Sequence, residues 1–324
     1  MNAICVDSKT LMIKWVDVPD PIPAPDEVTI NIHATAVNRA DLLQRAGNYP
    51  PPHGSPPYMG LEASGVISQV GKEVTGWQIG DRVCTLLSGG GYAEKVSSPA
   101  SLLIRMPDEW SFEEAAAIPE VFYTAYLNLF IEGRLEKDET VLIHGGASGV
   151  GTAAIQLAKR AGCRVLVTAG REDKIDFCKR LGADAGVNYK NEDFELAIRK
   201  QVPDGVDVIL DIAAADYLKP NMSLLRTGGR LVVIALLTGA KAEIDLSILM
   251  RRRLRIIGSV LRSRPLEEKI ELQNRFEAQF WTDLVSGIIN PVIYKTFPIQ
   301  EADAAHALLA ANENIGKVIL KVRN

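Results

Sequence analysis

The stretch Glu139 to Ala161, ETVLIHGGASGVGTAAIQLAKRA, joins a short β-branched run to a glycine-rich turn and then to an alanine-rich amphipathic segment. A strand that delivers its backbone into such a turn places helix-opening amides where a pyrophosphate can lie. Gly146, Gly149 and Gly151 are the places where a Cβ would intrude. Counted from Gly146 the spacing is G-x-x-G-x-G, whereas the usual dinucleotide fingerprint is G-x-G-x-x-G, so a plain strand-to-helix cap also suits these residues. Cofactor choice should be written about 20 residues past the first glycine, where an NAD enzyme places an acid for the ribose 2′-hydroxyl. The chain reads Thr168, Ala169, Gly170, Arg171 there, and Arg171 with Lys174 suits a 2′-phosphate, which favours NADPH over NADH. Glu172 and Asp173 stand beside them, and the same residues also suit an ordinary charged helix start.

Other chemistries find little to work with. His33, His53, His144 and His306 do not fall at metal-ligand spacing, and no nucleophile elbow or Ser-His-Asp order is visible. Cys5, Cys84, Cys163 and Cys178 are far apart without C-x-x-C spacing, which suits a reducing cytoplasm.

The elements that must hold the glycine turn are read from periodicity. Before residue 120 the runs Glu27 to Asn38, Ala63 to Gly71 and the segment from Gly80 alternate like strands between glycines and prolines, predicting a mostly antiparallel, barrel-like domain. From residue 121 short apolar strands alternate with helices: Arg164 to Gly170, Val206 to Ala213, Gly229 to Leu236 and Arg255 to Leu261 are the strands after the turn. This order predicts an α/β, doubly wound parallel sheet of Rossmann type. A long amphipathic helix follows Pro265, and the tail reads strand, helix, strand, returning to the first domain. The expected division is therefore 1–121 with 291–324 for a β-rich catalytic domain, and 122–290 for the inserted nucleotide domain.

The chain has 324 residues, 47% of them hydrophobic, enough for a core in each of two domains. A net charge of -4 argues against nonspecific nucleic-acid or acidic-membrane binding. The basic run Arg251 to Arg253 with Arg255 reads as a solvated face. The start of the chain lacks a basic and apolar leader, and no later apolar run approaches the ~18 residues of a membrane helix, so a soluble, cytoplasmic protein is expected.

Taken together, several segments resemble the medium-chain dehydrogenase/reductase superfamily, and within it the zinc-independent quinone oxidoreductases, which include stress-inducible NADPH-dependent members. They are Asn38 to Pro52, GLEASG (Gly60 to Gly65), AAAIPE (Ala115 to Glu120), Val141 to Ala158, Val167 to Gly170, LRSR (Leu261 to Arg264) and NIGK (Asn314 to Lys317). The resemblance implies a GroES-like catalytic domain around the Rossmann insertion. Zinc-dependent relatives bind their catalytic metal through a Cys, a His and a Cys; the corresponding positions here are Asn38, Leu61 and Glu120. No metal is therefore expected, and Glu62 reads as a structural carboxylate. The resemblance further implies that Asn38, Asp41 and Tyr49 line the acceptor side, with Tyr49 the first choice for a substrate contact. Toward NADPH it implies Thr124, Ser148, Val150, Gly170, Tyr189, Leu236 and Leu261, with Gly316 and Lys317 closing over the cofactor. Tyr49 also suits simple loop packing, and Asp41 a helix cap.

The reaction expected is transfer of reducing equivalents from NADPH to a quinone. An enone or enoyl-thioester reductase and a non-catalytic NADPH-binding protein are the alternatives. The apolar segment Arg255 to Leu261, expected at a sheet edge, needs pairing or cover, and the resemblance implies that it pairs across a two-fold axis in a homodimer.

Overall fold

The apolar runs from Thr140 to Gly258 assemble into one six-stranded parallel sheet. Its spatial order is Ala185–Asn188, Arg164–Ala169, Thr140–His144, Val206–Asp211, Leu225–Val233 and Arg255–Gly258. The computed structural model describes residues 1–7 and 9–323, and the chain divides into two compact units: Met1–Val121 with Arg262–Asn324, and Phe122–Leu261. In the second unit, strands counted along the chain run 3-2-1-4-5-6 across the sheet, the doubly wound order whose ligand crevice opens at the carboxyl ends next to the central strand. Helices cover both faces, so strands such as Val206–Asp211 are buried at every residue and read as continuous apolar runs. Leu142, Leu166, Val187, Ile198, Ile209 and Leu231 form the core between strands and helices, each worth ~1.5–3 kcal/mol on burial. The strand expected over Arg255 to Leu261 ends at Gly258: Ser259 still donates to Val233 O at 3.1 Å, after which the chain turns away.

The first unit is built on the eleven-residue strand Glu27–Val37, which pairs antiparallel with Glu62–Val70, Lys95–Pro99 and Lys317–Lys321. Its register shifts twice against Glu62–Val70, bending the sheet. The returning tail adds Ile293–Pro298 parallel to Lys317–Lys321, with the helix Ala302–Ala310 as crossover. This is the predominantly antiparallel architecture expected of the β-rich domain.

The second boundary differs from expectation: it falls at 261/262 rather than 290/291. The reason is the helix Leu266–Val285, whose buried face packs on the β-rich unit. Gln273 Nε2 donates to Leu103 O at 3.3 Å, Lys269 Nζ to Ser88 Oγ at 2.9 Å, and Trp281 meets Trp110 edge-on at 5.5 Å. Among the described residues no helix is long and apolar enough to cross a membrane.

Candidate active site

The glycine turn lies at the carboxyl end of the central strand Thr140–His144. Gly145 has φ +68°, and a Cβ at Gly151 would lie 2.4 Å from Gly145 O and 2.6 Å from Gly146 O, so only glycine permits the helix to start this close to the turn. At Gly146 a Cβ would come within 2.8 Å of Val167 Cβ. Ser148 caps the helix Gly149–Arg160, its Oγ accepting from Gly151 N at 3.0 Å. Ser148, Gly149 and Val150 keep partial exposure, and the opening amides of a helix have no intrahelical partner, so this turn offers donors to an anion.

Beneath the turn, His144 is buried. Its Nε2 faces Asn221 Oδ1 at 2.8 Å and its Nδ1 faces Thr168 Oγ1 at 3.0 Å, while Asn221 Nδ2 donates to Asp211 Oδ2 at 3.2 Å. That orientation of Asn221 assigns the proton to Nε2, and burial lowers the imidazole pKa, so His144 is neutral and structural.

At the end of the next strand the expected phosphate site gathers around Gly170. A Cβ there would meet Tyr189 Oη at 2.8 Å and Lys190 Cε at 3.3 Å, so Gly170, Tyr189 and Lys190 are brought together. Arg171 is exposed and forks onto both carboxylate oxygens of Asp173 (2.9 and 2.7 Å). Lys174 is largely buried, and its pKa is lowered by burial first and by Arg171 second. Glu172 is turned aside, accepting from Asn188 Nδ2 at 2.8 Å and Asn191 Nδ2 at 3.1 Å. Lys190, which the sequence reading does not single out, joins Tyr189 at this glycine, as its place beside Tyr189 in VNYK allows. Leu236 is exposed in the segment after Leu225–Val233, Leu261 is buried just past the edge strand, and Thr124 lies within the helix Pro119–Tyr126.

In the first unit, Asn38 caps the helix Arg39–Arg45 and Asp41 completes the capping box. Asp41 is fully buried and its oxygens are occupied: Asn38 N (2.8 Å), Gly60 N (2.9 Å) and Tyr92 Oη (3.3 Å) all donate to it. Burial, opposed by those amides, pushes its pKa up to about 6. The Asn38 amide is also engaged, donating through Nδ2 to Glu62 Oε1 at 2.9 Å and accepting from Lys317 Nζ at 2.6 Å. Lys317 Nζ lies 2.8 Å from Glu62 Oε1, and Glu120 N donates to Glu62 Oε2 at 2.8 Å. Asn38, Asp41 and Lys317 are thus gathered into one buried network. Gly316 is equally committed, since a Cβ would stand 2.2 Å from Val292 O at φ +78°. Tyr49 differs: half-buried, it presents its ring to the Arg262 guanidinium at 5.2 Å.

The three positions that correspond to zinc ligands do not suit the metal. Leu61 is buried and apolar, the Asn38 amide is spent on Glu62 and Lys317, and Glu120 is the one carboxylate left. No group of three or more His, Cys, Asp or Glu is placed to hold a metal among the described residues.

The sequence matches the family models for an alcohol dehydrogenase GroES-like domain over residues 24–108 and for a zinc-binding dehydrogenase over residues 149–276, the latter containing none of those three positions. Together with the sheet order, they define a medium-chain dehydrogenase/reductase. Quinone oxidoreductase of Mus musculus is 32% identical over 311 residues, spanning 94% of this chain and 92% of its own. The 2-haloacrylate reductase of a Burkholderia species is 30% identical, spanning 94% of each chain. The quinone oxidoreductase of Thermus thermophilus, solved also as its NADPH complex, superposes with a TM-score of 0.85 at 32% identity and covers 99% of this chain and 100% of that one. The chain belongs to the quinone oxidoreductase family of this superfamily and is an oxidoreductase that takes a nicotinamide cofactor.

Proposed function

We propose that the protein is a zinc-independent reductase that passes reducing equivalents from NADPH to quinones. The observation that carries this reading is that Asn38, Leu61 and Glu120 stand where a Lewis acid would need thiolate and imidazole, with the Asn38 amide already bonded to Glu62 and Lys317. With no metal to hold an alkoxide, the acceptor must take up negative charge by its own conjugation. Bound NADPH supplies the hydride. The helix-opening amides at Gly149 and Val150, with Ser148, hold the pyrophosphate, and the bare faces of Gly146, Gly151 and Gly170 leave room for it and for the ribose. Arg171, Lys174 and Lys190, with Tyr189, surround the 2′-phosphate; Thr124 and the backbone of Leu236 and Leu261 serve the rest of the cofactor. Tyr49 meets the acceptor, whereas Asn38 and Asp41 act by shaping the wall, since their polar atoms are already bonded.

A second reading, reduction of an activated double bond, is favoured by the likeness to 2-haloacrylate reductase. Acceptor profiling with NADPH separates the two. Quinones reduced faster than small enones or enoyl thioesters is the expected result; the reverse order would sink the first reading, and NADPH binding without turnover on either class would leave a non-catalytic binder. The edge strand Arg255–Gly258 further supports a homodimer joined at that edge, with the site in each protomer taking a small molecule and neither nucleic acid nor membrane.

A further inference from the structure

We propose that Arg262 is a positioning residue for acceptor binding: its guanidinium holds the Tyr49 ring and the Gln44–Tyr49 turn in the orientation that the acceptor meets. This rests on the reading of Tyr49 as the acceptor contact.

Arg262, from the LRSR segment, is 4% exposed. It donates from Nε to Ser88 O at 2.8 Å, from Nη2 to Gln44 Oε1 at 2.8 Å and from Nη1 to Tyr49 O at 3.4 Å, and its Cζ stands 5.2 Å from the Tyr49 ring centroid. Every one of these acceptors is neutral. No carboxylate touches the guanidinium, and Asp41 and Glu120 attract it only from beyond its hydrogen bonds, so a direct ion pair does not account for its burial. What the arrangement supplies is geometry. A planar fork reaches three oxygens at once while its face covers an aromatic ring, which an ammonium does not reproduce.

The segment it grips needs an outside anchor. After the helix Arg39–Arg45 the chain reverses through Gly47 at φ +76° and continues through Pro50, Pro51 and Pro52 without a helix or strand until Glu62. Arg262 lies 213 residues further along the chain from Tyr49. Its own backbone is fixed in turn, because Lys269 Nζ donates to Arg262 O at 2.8 Å and to Ser88 Oγ at 2.9 Å. Three parts of the first unit, the Gln44–Tyr49 turn, Ser88 and the start of the helix Leu266–Val285, therefore converge on one side chain.

The test is a kinetic cycle with R262K, Y49L and the double variant, with 1,4-benzoquinone as acceptor. R262K keeps the charge and loses the fork; the expected result is a KM for the quinone raised about tenfold, kcat within about twofold and the NADPH dissociation constant unchanged. R262K added to Y49L should cause no further rise, because the two act as one unit. Q44A removes a single arm at a half-buried position and should raise KM about threefold, so it, paired with Y49L, decides the matter if R262K does not fold. A quinone KM within twofold of wild type in the folded variants, or additive effects in the cycle, overturns the positioning role alone. Wild-type protein that reduces no acceptor overturns the functional reading and this role with it.

Discussion

The Lys317 ammonium lies 2.8 Å from Glu62 Oε1 with both side chains closed to solvent (3% and 0% exposed). The same ammonium holds Asn38 Oδ1, and Glu62 also receives Asn38 Nδ2 and the amide of Glu120, so three donors converge on its carboxylate. A buried pair so fully hydrogen-bonded is costly to break from one side, because the survivor keeps its desolvation penalty and loses its partner.

K317M should therefore destabilise the first unit by about 3–5 kcal/mol. The double variant E62Q/K317M, which removes both charges, should recover a large part of that loss. Urea unfolding of the three proteins checks this; equal stability of the single and double variants would show that the charge of Glu62 is not what suffers.

The cations at Gly170 make a different prediction, about cofactor and not fold. Lys190 is exposed and sits against Gly170, so K190A should leave folding intact and, on the proposed reading, weaken NADPH by removing one of the three cations assigned to its 2′-phosphate. Fluorescence titration should show the NADPH dissociation constant rising about tenfold with NADH nearly unchanged, as expected for a charged hydrogen bond of ~1.5 kcal/mol. Equal losses for both cofactors would place Lys190 elsewhere on the nucleotide.

What could be read in advance divides along the distance between interacting residues. Gly146 to Gly151, Arg171 and Lys174 are local features whose role follows from a strand, a turn and a helix in sequence. Lys190 needed one further step, the parallel pairing of Asn188 with Ala169 that carries the following residues to Gly170. Asn38, Glu62 and Lys317 meet only because Val318 pairs with Val37 and Ser64 with Ala34, and no local spacing encodes those registers. For that reason the hydrogen bonds that Asn38, Asp41 and Lys317 make inside the first unit were not legible in the sequence. The helix Leu266–Val285 went to the wrong domain on similar grounds: an amphipathic pattern shows that a face is buried, not against which unit.

Glu120 gives a pH prediction with a defined sign. Burial first and Glu62 second push its pKa up to about 8 from the ordinary 4.5. The folded protein then binds a proton more readily than the unfolded chain, so this group's contribution is full below about pH 4.5 and is lost as pH rises toward 8. Asp41, raised to about 6, acts in the same direction and has finished titrating by then. Between pH ~7 and ~8 the decline in stability should thus be carried by Glu120, and E120Q should flatten it, leaving the variant more stable at pH 8 by on the order of 1 kcal/mol. Denaturant midpoints across that range decide it: an E120Q profile parallel to wild type would remove Glu120 from the account.

The edge strand Arg255–Gly258 pairs with Leu225–Val233 along one side and ends the sheet among the described residues. Ile256 is exposed on it, with apolar Ile257 beside it. An edge that is short and apolar, with one basic residue at its start, is weakly defended against pairing with a second copy, and the symmetric outcome is a two-fold dimer in which the same strand serves both protomers. A charge at its centre should then act twice, once from each copy. I256K is accordingly expected to raise the dimer dissociation constant at least a hundredfold, about two charge burials of ~1.5 kcal/mol each, with the protomer fold intact by circular dichroism. Sedimentation velocity at micromolar concentration reads both states. A wild-type monomer would end the dimer proposal, and an I256K dimer as tight as wild type would move the interface away from this edge.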